Sequence, residues 1–167
     1  MGTKVIASIR PATVSDAGSI AAIYNEGIRE RIATFETRER TQGEVAAWIG
    51  DAQYPVLVSQ LGDEIVAWAA ASSYRPRECY AGIAEFSIYV ARKARGQGIG
   101  QPLLEAFLAA CRSAGFWKVV SRVFPENLAS RALLKSCGFR EVGVYEKHAM
   151  LDGEWRDVVI VERLIAM

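Results

Sequence analysis

The amino-acid sequence predicts an α/β fold, a mixed sheet with helices on both faces. Three observations carry that prediction. Runs with apolar residues at every second position alternate with runs whose apolar residues recur every third or fourth position. A glycine-rich turn, Arg95 to Gly100, joins a strand-like run to a helix-like one. Two final strand-like runs meet at Asp152-Gly153, a dipeptide that favours a tight hairpin.

Val5 to Arg10 alternates apolar and polar residues and reads as the first strand. Thr13, with Asp16 as a weak capping partner, opens a helix that carries Ala17, Ile20, Ala21, Tyr24 and Ile28 on one face. Arg31 to Arg40 breaks that spacing and reads as a loop. Thr41 and Glu44 form a better capping box for a short helix through Trp48 and Ile49. Pro55 to Gln60 and Glu64 to Ala71 flank Leu61-Gly62-Asp63 as a hairpin, and Ser72 to Tyr80 is a polar, aromatic loop. Gly82 to Val90 is the next strand. Leu103, Leu104, Phe107, Leu108 and Cys111 give the following helix its apolar stripe. Pro102 falls in its first turn, where a missing N–H costs little, and Gly115 ends it. Lys118 to Phe124 is a strand. Pro125-Glu126-Asn127 leads into a short helix, Ala129 to Ser136, ended by Gly138. Glu141 to Met150 and Trp155 to Leu164 complete the order β α α β β β α β α β β.

Composition bounds the function. At 167 residues, 51% hydrophobic and 23% charged, the chain is expected to fold as one globular domain, residues 1–167. A net charge of +1 argues against a dedicated nucleic-acid binder. The apolar run Ile65 to Ala71 is too short to span a bilayer, and Thr3-Lys4 opens no signal-peptide-like stretch. Met1-Gly2 lacks the Ser or Thr of a myristoylation signal, because Ile6 stands there. A cytoplasmic protein with no membrane partner is the simplest expectation. Cys79, Cys111 and Cys137 are odd in number and widely spaced, so neither a disulfide framework nor a zinc cluster is expected. Cys111 and Cys137 read as buried small apolar residues. His148, the single histidine, excludes a histidine-built metal site and reads as structural before it reads as a second base.

The glycine-rich turn carries the chemistry. Between a strand and a helix, such a turn presents backbone N–H groups and the positive end of the helix dipole, a site for phosphate. The dinucleotide fingerprint fails, because Gln101 occupies the third glycine position counted from Gly96. A phosphate-binding P-loop fails as well, since no Gly-Lys-Ser or Gly-Lys-Thr occurs. What remains is Arg95-x-x-Gly98-x-Gly100, with an ordinary strand–helix connection as the competing reading.

That remnant resembles the R/Q-x-x-G-x-G/A signature of the GCN5-related N-acetyltransferases, and the element order matches their mostly antiparallel fold along essentially the whole chain. Pro125 to Ser130, followed by Gly138-Phe139, is similar to the family's second cofactor element. The nearest likeness is to the phosphinothricin, methionine sulfoximine and arsinothricin N-acetyltransferases. It is carried by Tyr24-Asn25, Thr34-Phe35-Glu36, Ser73 to Arg77, Glu85 to Val90 and Trp155 to Val158. The resemblance implies acetyl-CoA as cosubstrate and acetylation of the α-amine of a glutamate-like toxin. It implies a homodimer too, and no metal.

For the cofactor, the resemblance implies Ile88, Tyr89 and Val90 alongside the pantetheine arm. Arg95, Gly96, Gln97, Gly98, Ile99, Gly100 and Gln101 would surround the diphosphate, and Asn127 and Ser130 would lie across from the arm. An α-amine with a pKa near ~8 is mostly ammonium at neutral pH and needs a base. Glu85 is the candidate, its proton affinity raised by partial burial on the strand. A backbone N–H near Ile88 or Tyr89 is expected to stabilise the developing oxyanion. Many relatives place an acid, tyrosine, where this chain has Leu134; Tyr145 is the substitute candidate. Arg75 and Arg77, flanking Pro76, suit a carboxylate, phosphinate or arsinate. Tyr24, Phe35, Phe86 and Ser87 are expected to line the rest of the substrate. A peptide or protein N-terminal acetyltransferase and a non-catalytic acyl-CoA sensor are the alternatives.

Overall fold

The structure is a computed structural model that describes residues 6–166. The strands are β1 (Ser8–Pro11), β2 (Val56–Leu61), β3 (Glu64–Ser73), β4 (Ile83–Val90), β5 (Lys118–Val123), β6 (Arg140–Leu151) and β7 (Glu154–Leu164). The helices are α1 (Ala17–Glu30), α2 (Gln42–Gly50), α3 (Gly100–Ser113) and α4 (Leu128–Ser136). The strands form one sheet in the order β1-β2-β3-β4-β5-β7-β6. Every neighbouring pair is antiparallel except β4 and β5. The mixed sheet and the expected order of strands and longer helices are therefore observed.

Several boundaries differ. The first strand starts at Ser8 and ends at Pro11; Val5 lies outside the described residues. The first helix is preceded by a 3-10 turn over Val14–Asp16 and starts only at Ala17. Asp16 accounts for the delay. Its carboxylate accepts from the Thr13 N–H at 2.8 Å and from the Arg10 guanidinium at 2.7 and 2.9 Å. β3 runs on to Ser73, and α3 begins at Gly100, inside the glycine-rich turn. Gly115, at φ 95°, ends α3 as expected.

Helices cover both faces. β3 is nearly all apolar because each of its faces is covered. Ala67, Ala69 and Ala71 pack with the stripe of α3, while Trp68 and Ala70 pack with α1 and Val45 of α2. β4 alternates likewise. Ala84 and Phe86 join the α3 side, and Tyr89 packs on the α1 side. Cys111 and Cys137 are buried, as expected, and burial pushes the Cys111 thiol up to about 12. No helix among the described residues is long and apolar enough to cross a membrane.

Candidate active site

The site begins where two parallel strands part. β4 and β5 pair only at Ile83–Lys118, Ala84–Val119 and Glu85–Val120, although both continue beyond. Past Glu85 the sheet opens. The Ser121 hydroxyl donates to the Phe86 carbonyl at 3.0 Å across the gap. Backbone groups alternate sides along a strand, so the N–H and C=O of Ile88 point into the same opening. Those of Tyr89 point to β3, whose Trp68 is its pairing partner. Of the two amides expected near the reacting carbonyl, the one facing the opening is therefore that of Ile88.

A cleft of about 540 Å³ leads into this opening from one side. One wall is the edge of β4, Ile88 to Val90. The glycine-rich turn supplies another, with Gly96, Gly98, Ile99, Gly100 and Gln101. Asn127 and Ser130, at the start of α4, face them. Gly96 and Gly98 both sit at φ 74°, a conformation that favours glycine and turns successive amides toward one side. The Asn127 side chain also caps α4, accepting from the Ser130 N–H at 3.2 Å.

Two residues of the turn behave differently from expectation. Gln97 does not line the cleft; its side-chain amide donates to the Lys93 carbonyl at 3.3 Å. Arg95 does line it, but its guanidinium is occupied. It makes a two-point contact with Glu30 at 2.8 and 2.9 Å and donates from Nε to the Val90 carbonyl at 3.2 Å. The Arg95 hydrogen bonds hold the Glu30 carboxyl below its usual range, against the opposing pull of desolvation. Arg95 thus fastens the turn to α1 and β4.

A second cleft, about 470 Å³, lies on the α1 and α2 side of the sheet. Tyr24, Trp48, Tyr54 and Trp68 form its aromatic wall, with Asp51, Ser72 and Ser73 among its polar groups. The buried indole N–H of Trp68 has no hydrogen-bond partner. Ser87 lines both this cleft and the small opening between β4 and β5. Glu85 shares the face of Ser87, two residues away, and pairs across β3 with Ser72. The first cleft reaches Ile88 itself, and the second reaches its neighbour Ser87.

The family model described as "Acetyltransferase (GNAT) family" matches residues 20–139. The chain belongs to the acetyltransferase (GNAT) family. It is 32% identical to a phosphinothricin N-acetyltransferase of Alcaligenes faecalis, over 93% of this chain and 81% of the relative. It is also 32% identical to an L-methionine sulfoximine/L-methionine sulfone acetyltransferase of Pseudomonas paraeruginosa, over 93% of each. A phosphinothricin acetyltransferase from Sinorhizobium meliloti, solved in complex with acetyl-CoA, superposes with a TM-score of 0.88. It is 30% identical, covering 96% of this chain and 89% of that one.

In this acetyltransferase, Glu85 is partly buried, as expected. Its side chain keeps 28% exposure and pairs with Arg122 of β5 at 2.7 Å. His148 Nε2 lies 3.5 Å from the other Arg122 nitrogen, Nη1. Tyr24 lines the second cleft, with ring contacts to Trp48, Trp68 and Tyr89, and burial raises its hydroxyl pKa.

Other expectations are corrected. Phe86 does not share the acceptor side. Its ring is buried against Phe107 and Phe139 on the α3 side, because adjacent strand residues face opposite ways. Phe35 rests on Phe124 at 4.9 Å in a small cluster with Leu151 and Val158. Arg75, Pro76 and Arg77 are exposed on the loop after β3 and line none of these clefts. Arg75 stacks over Tyr74 at 5.0 Å. Tyr145 is exposed, with its ring 5.0 Å from His148, and lines none of them either. Leu134 is buried and borders the opening, leaving no phenol at that point.

Arg122, Glu30, Trp48, Trp68 and Asp51 were not anticipated. Period-two spacing puts Arg122 on one face of β5, but nothing local tells that β5 runs beside Glu85. The aromatic residues of the second cleft are spread over two helices, a loop and a strand, and only the fold gathers them.

Proposed function

We propose that this enzyme transfers an acetyl group from acetyl-CoA to the α-amine of a glutamate-like amino acid. Phosphinothricin, methionine sulfoximine and arsinothricin are the substrate class, and resistance is the outcome. One observation carries this reading: Glu85 and the Ile88 amide stand at a gap in the sheet reached by two separate clefts. A two-substrate transfer needs that arrangement.

The chain's own groups fit the cosubstrate. Gly96, Gly98 and Gly100 line the first cleft with the N-terminus of α3, suited to a diphosphate. The free edge of β4 and Asn127 opposite it suit an extended, amide-bearing arm. When bound, acetyl-CoA supplies an acetyl thioester activated toward an amine.

The acceptor would enter through the second cleft. Glu85 takes the ammonium proton, directly or through water, and so exposes the nitrogen lone pair. The Ile88 N–H holds the negative charge that develops on the carbonyl oxygen. A thiolate of ordinary pKa, about 8.5, leaves without a strong acid, so Leu134 is compatible with turnover. Arg75, on the exposed loop two residues after Ser73, would reach a distal anionic group only by movement of that loop. The exposed Val142, Val144, Tyr145 and Met150 on edge strand β6 fit a second copy of the chain.

Steady-state acetylation of the three toxins, ordinary amino acids and short peptides tests the reading. Amino acids are expected to exceed peptides in kcat/KM, and Glu85→Gln to lower kcat by about 10²–10⁴ without changing KM for acetyl-CoA. Faster peptide turnover rejects the substrate class, and an unaffected Glu85→Gln rejects the base. Acetyl-CoA binding without turnover of any amine favours a sensor.

A further inference from the structure

Arg122 is left unexplained by this account, although it lies at its centre. It is the one arginine among the residues lining the β4–β5 opening, beside Ser87, Ile88 and Asn127. Its guanidinium spans the parted strands to Glu85 at 2.7 Å. The pair is not buried: the Arg122 side chain is 47% exposed and that of Glu85 28%. Half-exposed pairs are weak, so exchanging one carboxylate partner for another costs little. The loop arginines 75 and 77, by contrast, line no part of the opening.

We propose that Arg122 is the specificity-determining residue for the acceptor. It takes the α-carboxylate of the incoming amino acid and, in doing so, gives up Glu85. The inference rests on the reading of Glu85 as base and adds what switches that base on. An amino acid carries its carboxylate one carbon from its amine. A nitrogen delivered to the opening therefore brings the carboxylate to a group within a few ångströms of Glu85. Arginine's planar fork binds a carboxylate at two points. Against Glu85 it makes a single contact, through Nη2, while Nη1 lies toward His148 at the limit of hydrogen-bond distance. Once Arg122 has turned to the substrate, Glu85 is free to accept the ammonium proton. An amine without a carboxylate leaves the ion pair closed and the base engaged.

The test compares phosphinothricin with the amine that differs from it only by loss of the α-carboxylate. Binding is measured by calorimetry in the presence of coenzyme A, and turnover with acetyl-CoA. Wild type is expected to prefer the amino acid by about tenfold to a hundredfold, the range of a hydrogen bond to a charged group. Arg122→Ala brings that ratio near one and turns over the decarboxylated amine at least as fast as wild type does. Arg122→Lys, a charged variant that conserves side-chain bulk, restores part of the preference. An unchanged ratio in Arg122→Ala overturns the proposal. So does an equal loss on both acceptors, the pattern of a merely structural residue. Glu85→Gln separates the two readings. Full turnover in that variant removes the base and the release step with it, while the binding ratio in Arg122→Ala judges the carboxylate contact on its own.

Discussion

Gly98 gives the sharpest test of how the cosubstrate is held. Its φ of 74° lies in the left-handed region, and a Cβ built there meets nothing within 4 Å. Gly98→Ala therefore introduces backbone strain without a clash in the free protein. That strain is about 1–2 kcal/mol, equivalent to roughly 2–8 °C in Tm for a chain of this size. Gly62, in the β2–β3 hairpin, is a matched control: its φ is 58°, its Cβ also meets nothing, and it lies outside the cleft. Gly62→Ala should lower Tm by a similar amount. The two variants should part on acetyl-CoA binding. On the proposed reading, relieving strain at Gly98 would rotate the amides of the turn away from the cleft, and its Cβ would stand in the path of the diphosphate. Losing one charge-assisted amide contact is worth about 1.5–3 kcal/mol, so Kd by calorimetry should rise about tenfold to a hundredfold. Gly62→Ala should leave Kd unchanged. Equal Kd values for the two variants would refute the assignment of the turn to the diphosphate. So would a Gly62→Ala variant that weakens binding as much.

Two further outcomes concern the frame of the site. Asp16 is 6% exposed and paired with Arg10, whose hydrogen bonds are the largest of the influences holding its carboxyl below the usual value. A depressed pKa stabilises the fold fully above the unfolded value, about 3.9, and that contribution is lost as pH falls through the folded value. Asp16→Asn should cost about 1–3 kcal/mol near pH 7, and the gap from wild type in urea denaturation should close below about pH 4. A gap that persists undiminished into acid would contradict the ion pair. Gly27 lets α1 approach β4: an added Cβ would stand 2.5 Å from Tyr89 Cε1. Tyr89 is stacked on Trp68 and edge-on to Tyr24, each at 5.1 Å, so it has little room to yield. Gly27→Ala gains about 1 kcal/mol of helix propensity but overpacks the core, and a net loss in Tm is expected; a rise would mean that the ring moves freely.

Features set by neighbours along the chain were legible, while features set by strand partners were not. Gly115 and the Asp152-Gly153 turn were readable because their backbone geometry is local. The capping box of Thr41 and Glu44 was readable for the same reason. The parting of β4 from β5 depends on which strands pair and how far, so Arg122 stayed invisible until the sheet placed it beside Glu85. Arg95 lines the cleft, but what its guanidinium holds is set by a distant element. Its spacing from the glycines was correct, but its partner, Glu30, lies 65 residues away on α1. The orientation of Phe86 follows from the strand's own period. Strand residues alternate faces, so Phe86 and Glu85 could not both look toward the acceptor.

That alternation lets one short strand present different groups to its two sides. Side chains at even positions of β4, Ala84 and Phe86, anchor it to the α3 core, and their rigidity fixes its course past the gap. The backbone groups of those same even positions point along the sheet toward the missing partner, which leaves the Ile88 amide free without leaving the strand loose. Odd positions carry Glu85 and Ser87 to the opposite face, where the second cleft runs along Ser87. The free Ile88 amide and the Glu85 carboxylate are thus built into one covalent segment, three residues apart. A one-residue slip of register would exchange the two sets and bury Glu85 in the α3 core. The antiparallel pairing of β4 with β3 over seven residue pairs, from Ala67–Val90 to Ser73–Ala84, holds it in place. The chemistry of the site therefore rests on the pairing of β4 with β3 as much as on any single side chain.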